Sequence, residues 1–467
     1  MMNKKLALFV TAAALLVSAG RADIVVDRSQ TVGKIKPMNG VNNGPAGPYG
    51  NGNSQQKDNF ATYKAARFPF ARTHDAAFSE SYGSEHTVDI TSVFPDFSRK
   101  ADDPTAYDFA ITDWYLDRIR QMGTEVFFRL GQKIEHHVKK YGINPPKDFR
   151  KWALVCEHII RHYNEGWADG HHWNIRYWEI WNEADLAQYD PEDNRLTWGG
   201  TQQQFFDFYT IAAKHLKKCF PNLKIGGPAF AGEYWMDAFM QHMVKERVPI
   251  DFFSWHQYAT KPQTMGEKAR RIRQSLDKYG YKDTETTLNE WNYVRNWTNE
   301  FLYSIRSMRN QKGAAFCSAV MSVCQDAPVD ILMYYDARPE TVFNGLFDMY
   351  TMHPTPAYYP FYAWSRLAEL GTQVKVTNGE KDLYATAATT ADGEGALRIL
   401  LSYYTDDDNT VQRREVTLRV PGMADGDATG HVVDSGRLYT EIPLTVEGGA
   451  LTVKMEPNSV IMIEIAR

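Results

Sequence analysis

Residues 177–183 read YWEIWNE, an apolar run that leads straight into Asn182 and Glu183. The pattern predicts a buried strand with polar residues at its carboxyl end. Similar strand-like runs make eight in all, at residues 38–41, 66–72, 124–130, 175–181, 223–227, 250–256, 285–289 and 330–335. Helical patterns lie between most of them, including residues 148–162, 202–218, 234–245, 266–278 and 300–310, and are faint between the first two strands. Eight strands alternating with helices predict a (β/α)8 TIM barrel over residues 37–370.

The pattern changes after about residue 370. Short alternating apolar runs, punctuated by Gly, Asp and Asn, replace the helical stretches. They predict a smaller C-terminal domain, an antiparallel β-sandwich over residues 371–467. Residues 23–36 also have the pattern of a strand and a turn, so we expect this N-terminal strand to join the sandwich.

The N-terminus has the composition of a secretory signal peptide. Lys4 and Lys5 precede an apolar run over residues 6–19, and small residues follow it. We therefore expect residues 1–22 to be a cleaved signal peptide and the mature protein to be periplasmic or secreted. The alternative is an uncleaved N-terminal anchor. No cysteine ends the run and no later segment is apolar enough to span a membrane, which argues against a lipoprotein and an integral membrane protein.

The net charge and the aromatic content of the chain restrict the classes of partner that it is expected to bind. The formal net charge of −5 argues against nucleic acid, which calls for a basic face. The 12 Trp, 26 Tyr and 24 Phe suit a carbohydrate partner, because sugar rings stack on aromatic rings, although a large aromatic core accounts for them equally well. The oligomeric state is not indicated.

The cysteines and histidines indicate neither a cofactor nor a metal. The four cysteines, Cys156, Cys219, Cys317 and Cys324, form no CxxC pair, so buried free thiols are expected, with one disulfide as the alternative. The histidine pairs at residues 136–137 and 171–172 have no carboxylate or third histidine at a supporting spacing, and we expect no metal there.

The candidate active site follows from the barrel, because TIM-barrel sites lie at the carboxyl ends of the strands. The polar and aromatic residues that close the strands are Arg72, His74, Asn182, Glu183, His256, Tyr258, Glu290, Trp291, Tyr335 and Asp336. Among them, Glu183 and Glu290 end the fourth and seventh strands and face one another across the barrel. Glycoside hydrolysis needs such a pair of carboxyl groups, one as the acid and one as the nucleophile or base.

Several motifs along the barrel resemble those of clan A glycoside hydrolases, and most closely glycoside hydrolase family 39, which holds β-xylosidases and α-L-iduronidases. They are GVNNGP at residues 40–45, RTH at 72–74, WEIWNE at 178–183, WHQY at 255–258, NEWN at 289–292 and NGLF at 344–347. The resemblance implies a retaining enzyme in which Glu183 is the acid/base and Glu290 the nucleophile.

Roles for the neighbouring residues follow from the same reading. Arg72 is expected to hydrogen-bond Glu290 and keep it ionised by lowering its pKa. Tyr258 is expected to bind Glu290, and Asn182 a sugar 2-hydroxyl. We expect His74 and His256 to contact substrate or the carboxylates, and Glu179 to be structural.

Three departures from the family pattern leave the substrate open. Ala184 stands where relatives have Pro, Asn289 where Thr is common, and the loop at residues 335–340 lacks a paired Glu that holds xylose in relatives. The expected function is a retaining exo-glycosidase most like a β-xylosidase, with weak activity on simple xylosides. The alternatives are an α-L-arabinosidase, a β-galactosidase, an endo-glycanase or an inactive carbohydrate-binding protein.

Overall fold

The computed structural model describes residues 20–47, 58–74, 88–132, 143–189, 197–339 and 341–466. The apolar run at residues 6–19 and the histidine pair at 136–137 lie outside these ranges. The first strand, β1 (Gly20–Lys34), already begins inside the segment predicted as signal peptide, and it pairs with strands near the C-terminus.

The predicted barrel is confirmed. Eight parallel strands form a closed barrel in which each strand pairs with the next along the chain, and the last pairs with the first. The strands are β2 (Gly40–Asn42), β3 (Phe70–Arg72), β4 (Glu125–Leu130), β5 (Tyr177–Ile180), β6 (Lys224–Phe230), β7 (Phe252–Ala259), β8 (Glu285–Tyr293) and β9 (Ile331–Tyr334).

Ten α-helices are found in the described residues, most of them surrounding the barrel. They are α1 (Phe60–Ala65), α2 (Ile90–Val93), α3 (Ala110–Gln121), α4 (Phe149–Glu165), α5 (Gln202–Cys219), α6 (Met236–Glu246), α7 (Gln263–Lys278), α8 (Phe301–Met308), α9 (Gln311–Gln325) and α10 (Tyr358–Leu370). Side-chain caps begin two of the predicted helices: Asp148 accepts from two backbone amides at α4, and Thr201 forms a capping box at α5. The helix between the first two barrel strands, α1, has only six residues, which explains its faint pattern.

Apolar side chains close the amino-terminal end of the barrel interior. They come from β3, β4, β5, β7 and β9 and form one buried cluster of Phe70, Phe127, Tyr177, Phe252, Ile331 and Met333. Because this apolar cluster fills the amino-terminal end of the barrel, the polar side chains near the carboxyl ends of the strands lie at its open end. The base of the candidate site is therefore formed by apolar side chains.

The second sheet has nine strands in the order β15-β14-β17-β12-β11-β10-β1-β13-β16. Its strands after β1 are β10 (Thr372–Asn378), β11 (Leu383–Thr389), β12 (Leu397–Tyr403), β13 (Arg414–Arg419), β14 (Gly426–Val433), β15 (Leu438–Val446), β16 (Ala450–Met455) and β17 (Ser459–Ile465). The expectation of antiparallel strands is confirmed with one exception, because β1 is antiparallel to β10 but parallel to β13. The edge strands β15 and β16 follow each other in the chain and lie close to one another.

The central strands of this sheet have two buried faces. On β17, Met462 belongs to the core shared with the barrel, whereas its neighbour Ile463 belongs to the sheet's own core. Leu400 and Ile399 on β12 divide in the same way. Because successive strand residues point to opposite faces, one strand joins both cores. The barrel and the sheet are thus packed through a continuous apolar interface.

All four cysteines lie in the described part of the chain and are free thiols, and Cys219 is the one that is not fully buried. The disulfide alternative is therefore not found. No helix among the described residues combines the length and the apolar character needed to cross a membrane.

Candidate active site

Glu183 lies just beyond the carboxyl end of β5 and has a backbone conformation that few residues other than glycine adopt. Both Trp181 (φ 71°) and Glu183 (φ 48°) have left-handed backbone conformations. The Glu183 amide donates to the Ala229 carbonyl at 2.9 Å, and the Thr197 hydroxyl donates to the Glu183 carbonyl at 2.6 Å. Such conformations cost about 1–3 kcal/mol each and persist where the surroundings fix them, commonly at functional sites.

Glu290 reaches the barrel interior through an irregularity in β8. Along the pairing of β7 with β8, Trp255 matches Leu288 and His256 matches Glu290, so Asn289 is an extra residue. Asn289 donates to Glu179 inside the barrel, and Glu290 also points inward. A bulge of this kind re-aims side chains. It explains how two consecutive residues both face the site.

Trp291, predicted as a substrate-binding or supporting residue, faces away from the barrel interior. Its indole is fully buried and packs against Phe316 of α9 and Tyr334 of β9, with ring centroids 6.2 and 5.3 Å away. After the bulge the strand resumes its alternation, so the residue next to an inward Glu290 faces outward. Trp291 therefore packs against the surrounding helices.

Four side chains surround the carboxylate of Glu290. The Tyr258 hydroxyl donates to Oε1 at 2.6 Å. On the other oxygen, Arg72 Nη1 lies at 3.3 Å, and His74 Nε2 and His256 Nδ1 each lie at 3.4 Å. Burial and the neighbouring Glu183 raise the pKa of Glu290, whereas Arg72 and the Tyr258 hydroxyl act to lower it. Arg72 thus contacts Glu290 as predicted, but the net pKa shift is upward because burial is the larger effect.

His256 lies between the two carboxyl groups. Its Nδ1 is 2.7 Å from Oε1 of Glu183 and 3.4 Å from Oε2 of Glu290. Burial lowers the pKa of His256 to about 4, so the ring is neutral at pH 7. One oxygen of Glu183, one oxygen of Glu290 and a ring nitrogen of His256 all lie within 4.8 Å of one another. Retaining glycosidases have carboxyl groups about 5–5.5 Å apart, and inverting ones about 6.5–9.5 Å apart.

Arg72 is the centre of a fully buried hydrogen-bond network. Its Nε donates to Glu179 Oε2 at 2.7 Å, and its Nη2 donates to Asn182 Oδ1 at 2.7 Å. Its Nη1 also donates to Asn42 Oδ1 at 3.1 Å. Glu179 is occupied by Arg72 and Asn289, which fits a structural role. Within the described ranges no acceptor reaches Asn182 Nδ2, a buried donor that a sugar hydroxyl could use.

The loop after β9 carries Tyr335 and Asp336. The Tyr335 ring lies 5.0 Å from the His74 ring, so it belongs to the wall of the site. The Asp336 carboxylate is fully buried and accepts from the Thr341 hydroxyl at 2.9 Å and the Arg338 amide at 2.6 Å. Burial raises the pKa of Asp336 to about 7. Asp336 therefore holds its own loop, and Arg338 is also buried, with its guanidinium 6.0 Å from the Tyr115 ring.

Several residues of the site were not among the predicted ones. Asn42 donates to the Asn289 carbonyl at 2.8 Å and accepts from Arg72, which ties β2 to β8. Asn292 donates to the carbonyls of Tyr335 and Phe343 at 2.6 and 3.1 Å. Asn42 and Asn292 belong to the GVNNGP and NEWN motifs, so their position in these motifs was the available signal.

Three groups in the described residues have the ligand types of a metal site: Asp113–His162–His171, Glu157–His215–Cys219 and, in the candidate site itself, Glu183–His256–Glu290. The first group shows that the reason given for excluding a metal near His171 was wrong. Folding brings Asp113 and His162 to it, with His162 Nε2 at 3.1 Å and His171 Nε2 at 3.3 Å from the Asp113 carboxylate. These are also the contacts of an ion-paired network, and the expected absence of a metal stays a prediction.

Comparison with protein-family models matches residues 24–427 to the family described as glycosyl hydrolases family 39. The chain belongs to this family. The match covers the whole barrel and most of the second sheet, and it confirms the family that the motifs indicated. Glu183 and Glu290 both lie within the matched range.

Curated relatives of this family 39 chain include two β-xylosidases. The chain is 26% identical to one from Caldicellulosiruptor saccharolyticus over 305 residues, 58% of each protein. It is 24% identical to one from Geobacillus stearothermophilus over 271 residues, 52% of this chain and 50% of that protein. The matched part thus spans between half and three fifths of the length of these relatives.

Solved structures confirm the fold over almost the whole chain. A glucosidase from Croceicoccus marinus has a TM-score of 0.76 at 24% identity and covers 96% of this chain and 99% of its own. A monomeric β-xylosidase from Caulobacter crescentus has a TM-score of 0.68 at 16% identity, covering 95% and 99%. An α-L-arabinofuranosidase from Thermotoga maritima has a TM-score of 0.69 at 16% identity, covering 96% and 100%. At these identities the likeness establishes the barrel-plus-sheet fold.

Proposed function

We propose that this chain is a retaining exo-glycoside hydrolase in which Glu183 is the acid/base and Glu290 is the nucleophile. The observation that carries the proposal is the pair of buried carboxyl groups at the ends of β5 and β8, with oxygens within 4.8 Å of each other. Two such close carboxylates do not both ionise readily. Tyr258 and Arg72 donate to Glu290 and favour the negative charge there, which leaves the proton to Glu183.

The proposed reaction has two displacements. In the first, a Glu290 carboxylate oxygen bonds to the anomeric carbon, the glycosidic bond breaks, and the proton of Glu183 goes to the leaving oxygen. In the second, Glu183 takes a proton from water, whose oxygen displaces Glu290 and releases the sugar. Asn182 Nδ2 is placed to bind the 2-hydroxyl, where hydrogen bonds strengthen in the transition state.

Among substrates we propose terminal β-linked sugars, with β-xylosides as the first class to test because both curated relatives are β-xylosidases. We expect simple xylosides to be cleaved weakly. The Asp336 carboxylate is fully engaged by Asn43, Thr341 and the Arg338 amide. Asp336 therefore does not replace the paired Glu residues that help to hold xylose in relatives, which this loop lacks. β-Glucosides and α-L-arabinofuranosides are the competing classes.

The test compares Glu183→Ala with the parent on p-nitrophenyl glycosides and on glycosides with poor leaving groups. An acidic leaving group hardly needs protonation, so we expect loss of roughly 10²–10⁴-fold in the bond-breaking step with poor leaving groups only. Azide should restore turnover of the p-nitrophenyl substrate by attacking the glycosyl-enzyme.

The matched variant for this test is Glu290→Ala, which should lose activity on both kinds of substrate. Proton NMR of the first product should show the anomer of the substrate. Equal losses for both substrates in Glu183→Ala, without azide rescue, or net inversion, would contradict the proposed roles.

We also propose that the protein is exported. The supporting observation in the sequence is the lysine pair followed by the apolar run at residues 6–19. Ala22 is buried in β1 and pairs with Val416, so cleavage after Ala19 would preserve this strand, whereas cleavage after Ala22 would shorten it. Expression in a Gram-negative host should give a mature chain that begins at Gly20 by N-terminal sequencing. Recovery of a cytoplasmic chain retaining Met1 would contradict export.

A further inference from the structure

Aromatic rings form a continuous series from the nucleophile to the surface. His74, beside Glu290, lies 5.0 Å from Tyr335, and Tyr335 lies 5.5 Å from Phe343. Phe343 contacts Tyr258 and Trp297, each with ring centroids 6.0 Å away. Trp297 and Tyr258, whose hydroxyl binds Glu290, lie 5.0 Å apart in an edge contact. We call these five rings, from His74 to Trp297, the aromatic arc.

Exposure increases along the arc. His74 is fully buried, the three middle rings are half-buried, and Trp297 is 57% exposed. An isolated exposed apolar residue is common on protein surfaces. Trp297 is different, because its ring continues a wall that begins at the catalytic carboxylate. The outer end of the arc is therefore a flat apolar surface at the mouth of the site.

The loop that carries Trp297 is held by its own hydrogen bonds. The Asn296 side chain accepts from the amides of Thr298 and Glu300, each at 3.0 Å, and donates to the Glu300 carboxylate at 2.9 Å. Arg295 is anchored to Asp406 of the second sheet at 3.1 Å. The indole is thus presented by a fixed backbone, which reduces the entropy lost when a ligand binds.

We propose that Trp297 binds the leaving-group side of the substrate by stacking against the sugar ring attached through the scissile bond. This inference rests on the proposed function: if the reacting sugar is terminal, every further sugar lies on the leaving-group side. The flat C–H face of a pyranose matches an indole in size and polarity. The arc leads from Glu290 past Tyr258 to Trp297, which gives such a ring a continuous path out of the site.

The experiment measures how the glycosyl-enzyme divides between acceptors. The p-nitrophenyl glycoside that is cleaved fastest forms this intermediate, and xylobiose, cellobiose or methanol competes with water for it. Stacking of one ring is worth roughly three- to tenfold in transfer. In Trp297→Ala we expect transfer to the better disaccharide to fall by about this factor while transfer to methanol stays unchanged.

Two variants complete the test. Trp297→Tyr keeps an aromatic face and should retain most of the disaccharide transfer. Leu302→Ala removes an apolar side chain that is 76% exposed on α8 and takes no part in the arc, so it should behave as the parent. Normal hydrolysis with unchanged disaccharide transfer in Trp297→Ala overturns the role of Trp297 alone, as does an equal loss of transfer to methanol. If the parent enzyme shows neither hydrolysis nor glycosyl transfer, the proposed function and this inference are overturned together.

Discussion

Glu290, the proposed nucleophile, is buried and has to remain ionised to react, and the side chains that contact it favour its charged form. Burial raises the pKa of Glu290 and so opposes the charged form. Tyr258 and Arg72 donate hydrogen bonds to opposite oxygens of the carboxylate and act against burial. Arg72 in turn is balanced by Glu179, so the positive charge beneath the site is itself neutralised. The charged form of Glu290 therefore depends on the hydrogen bonds from Tyr258 and Arg72.

Tyr258→Phe tests this dependence. Removing the hydroxyl takes away an interaction that lowers the pKa of Glu290, so that pKa should rise further. Because the nucleophile must be ionised, the acid limb of the kcat/KM profile should move to higher pH by about one unit. The matched control is Tyr293→Phe, whose hydroxyl binds Asp406 instead, and it should not move the limb. An acid limb that stays in place in Tyr258→Phe would show that this hydrogen bond does not tune Glu290.

Among the elements, the loop after β9 is held in place by a buried acidic side chain, Asp336. The Asp336 carboxylate fixes the loop by accepting from Arg338, Thr341 and Asn43, although it is fully buried. Its pKa is raised from the ordinary value of 3.8 to about 7. The same loop carries Tyr335, so the ionisation of Asp336 is coupled to the wall of the site.

The sign of the pH effect follows from this raised pKa. Between about pH 4 and pH 7 the folded state holds a proton on Asp336 that the unfolded state has released. The contribution to the free energy of unfolding is thus fully present below pH 4 and is lost towards pH 7, with a slope of at most about 1.4 kcal/mol per pH unit. Asp336→Asn cannot titrate, so we expect its urea-melt stability to fall less over this range than that of the parent.

Asp348→Asn is the comparison for that experiment. Hydrogen bonds from the Thr351 amide and hydroxyl lower the pKa of Asp348, so its contribution to stability is present above its ordinary pKa and is lost as the pH falls below it. Between pH 4 and pH 7 the curve of Asp348→Asn should therefore run parallel to that of the parent, and the two should separate only below about pH 4. Parallel curves for the parent and Asp336→Asn between pH 4 and pH 7 would contradict the raised pKa.

The sequence predicted strand ends better than it predicted the backbone between them. Glu183 and Glu290 were predicted as site residues because each ends a strand-like run, an apolar one before Glu183 and a more polar one, ETTLN, before Glu290. The bulge at Asn289 was not foreseen, since it depends on the pairing of β7 with β8, and it determines that Glu290 faces inward and Trp291 outward. Helix α9 was not named, because most of its residues are buried and it lacks an amphipathic stripe. The His171 surroundings depend on residues distant in the chain.

For the molecule as a whole, the barrel and the second sheet share their cores, so we expect them to unfold together. All 12 tryptophans lie between residues 114 and 364, within the barrel, so their fluorescence reports on the barrel alone. Ile463→Ala opens a cavity in the sheet's own core, away from the barrel, at a cost of about 2–5 kcal/mol. If unfolding is cooperative, this variant should lower the Tm seen by tryptophan fluorescence by several degrees.

Met462→Ala is the neighbouring comparison, because its side chain belongs to the core shared with the barrel. It should lower the fluorescence Tm whether or not the two parts unfold together. A tryptophan transition that responds to Met462→Ala but not to Ile463→Ala would mean that the sheet unfolds independently, and the shared interface would then be weaker than its burial indicates.

The second sheet contains both the first strand of the described chain, β1, and the last, β17. β1, made first, pairs with β10 and β13, and β17, made last, lies between β12 and β14. While the ribosome is still adding the last residues, β1 has no complete sheet to join, and the centre of the sheet is missing its final strand. Deletion of residues 458–467 would remove the whole of β17 and leave β12 and β14 unpaired along that edge. The sheet is thus incomplete without β17, and chains that lack this strand should be removed by proteolysis.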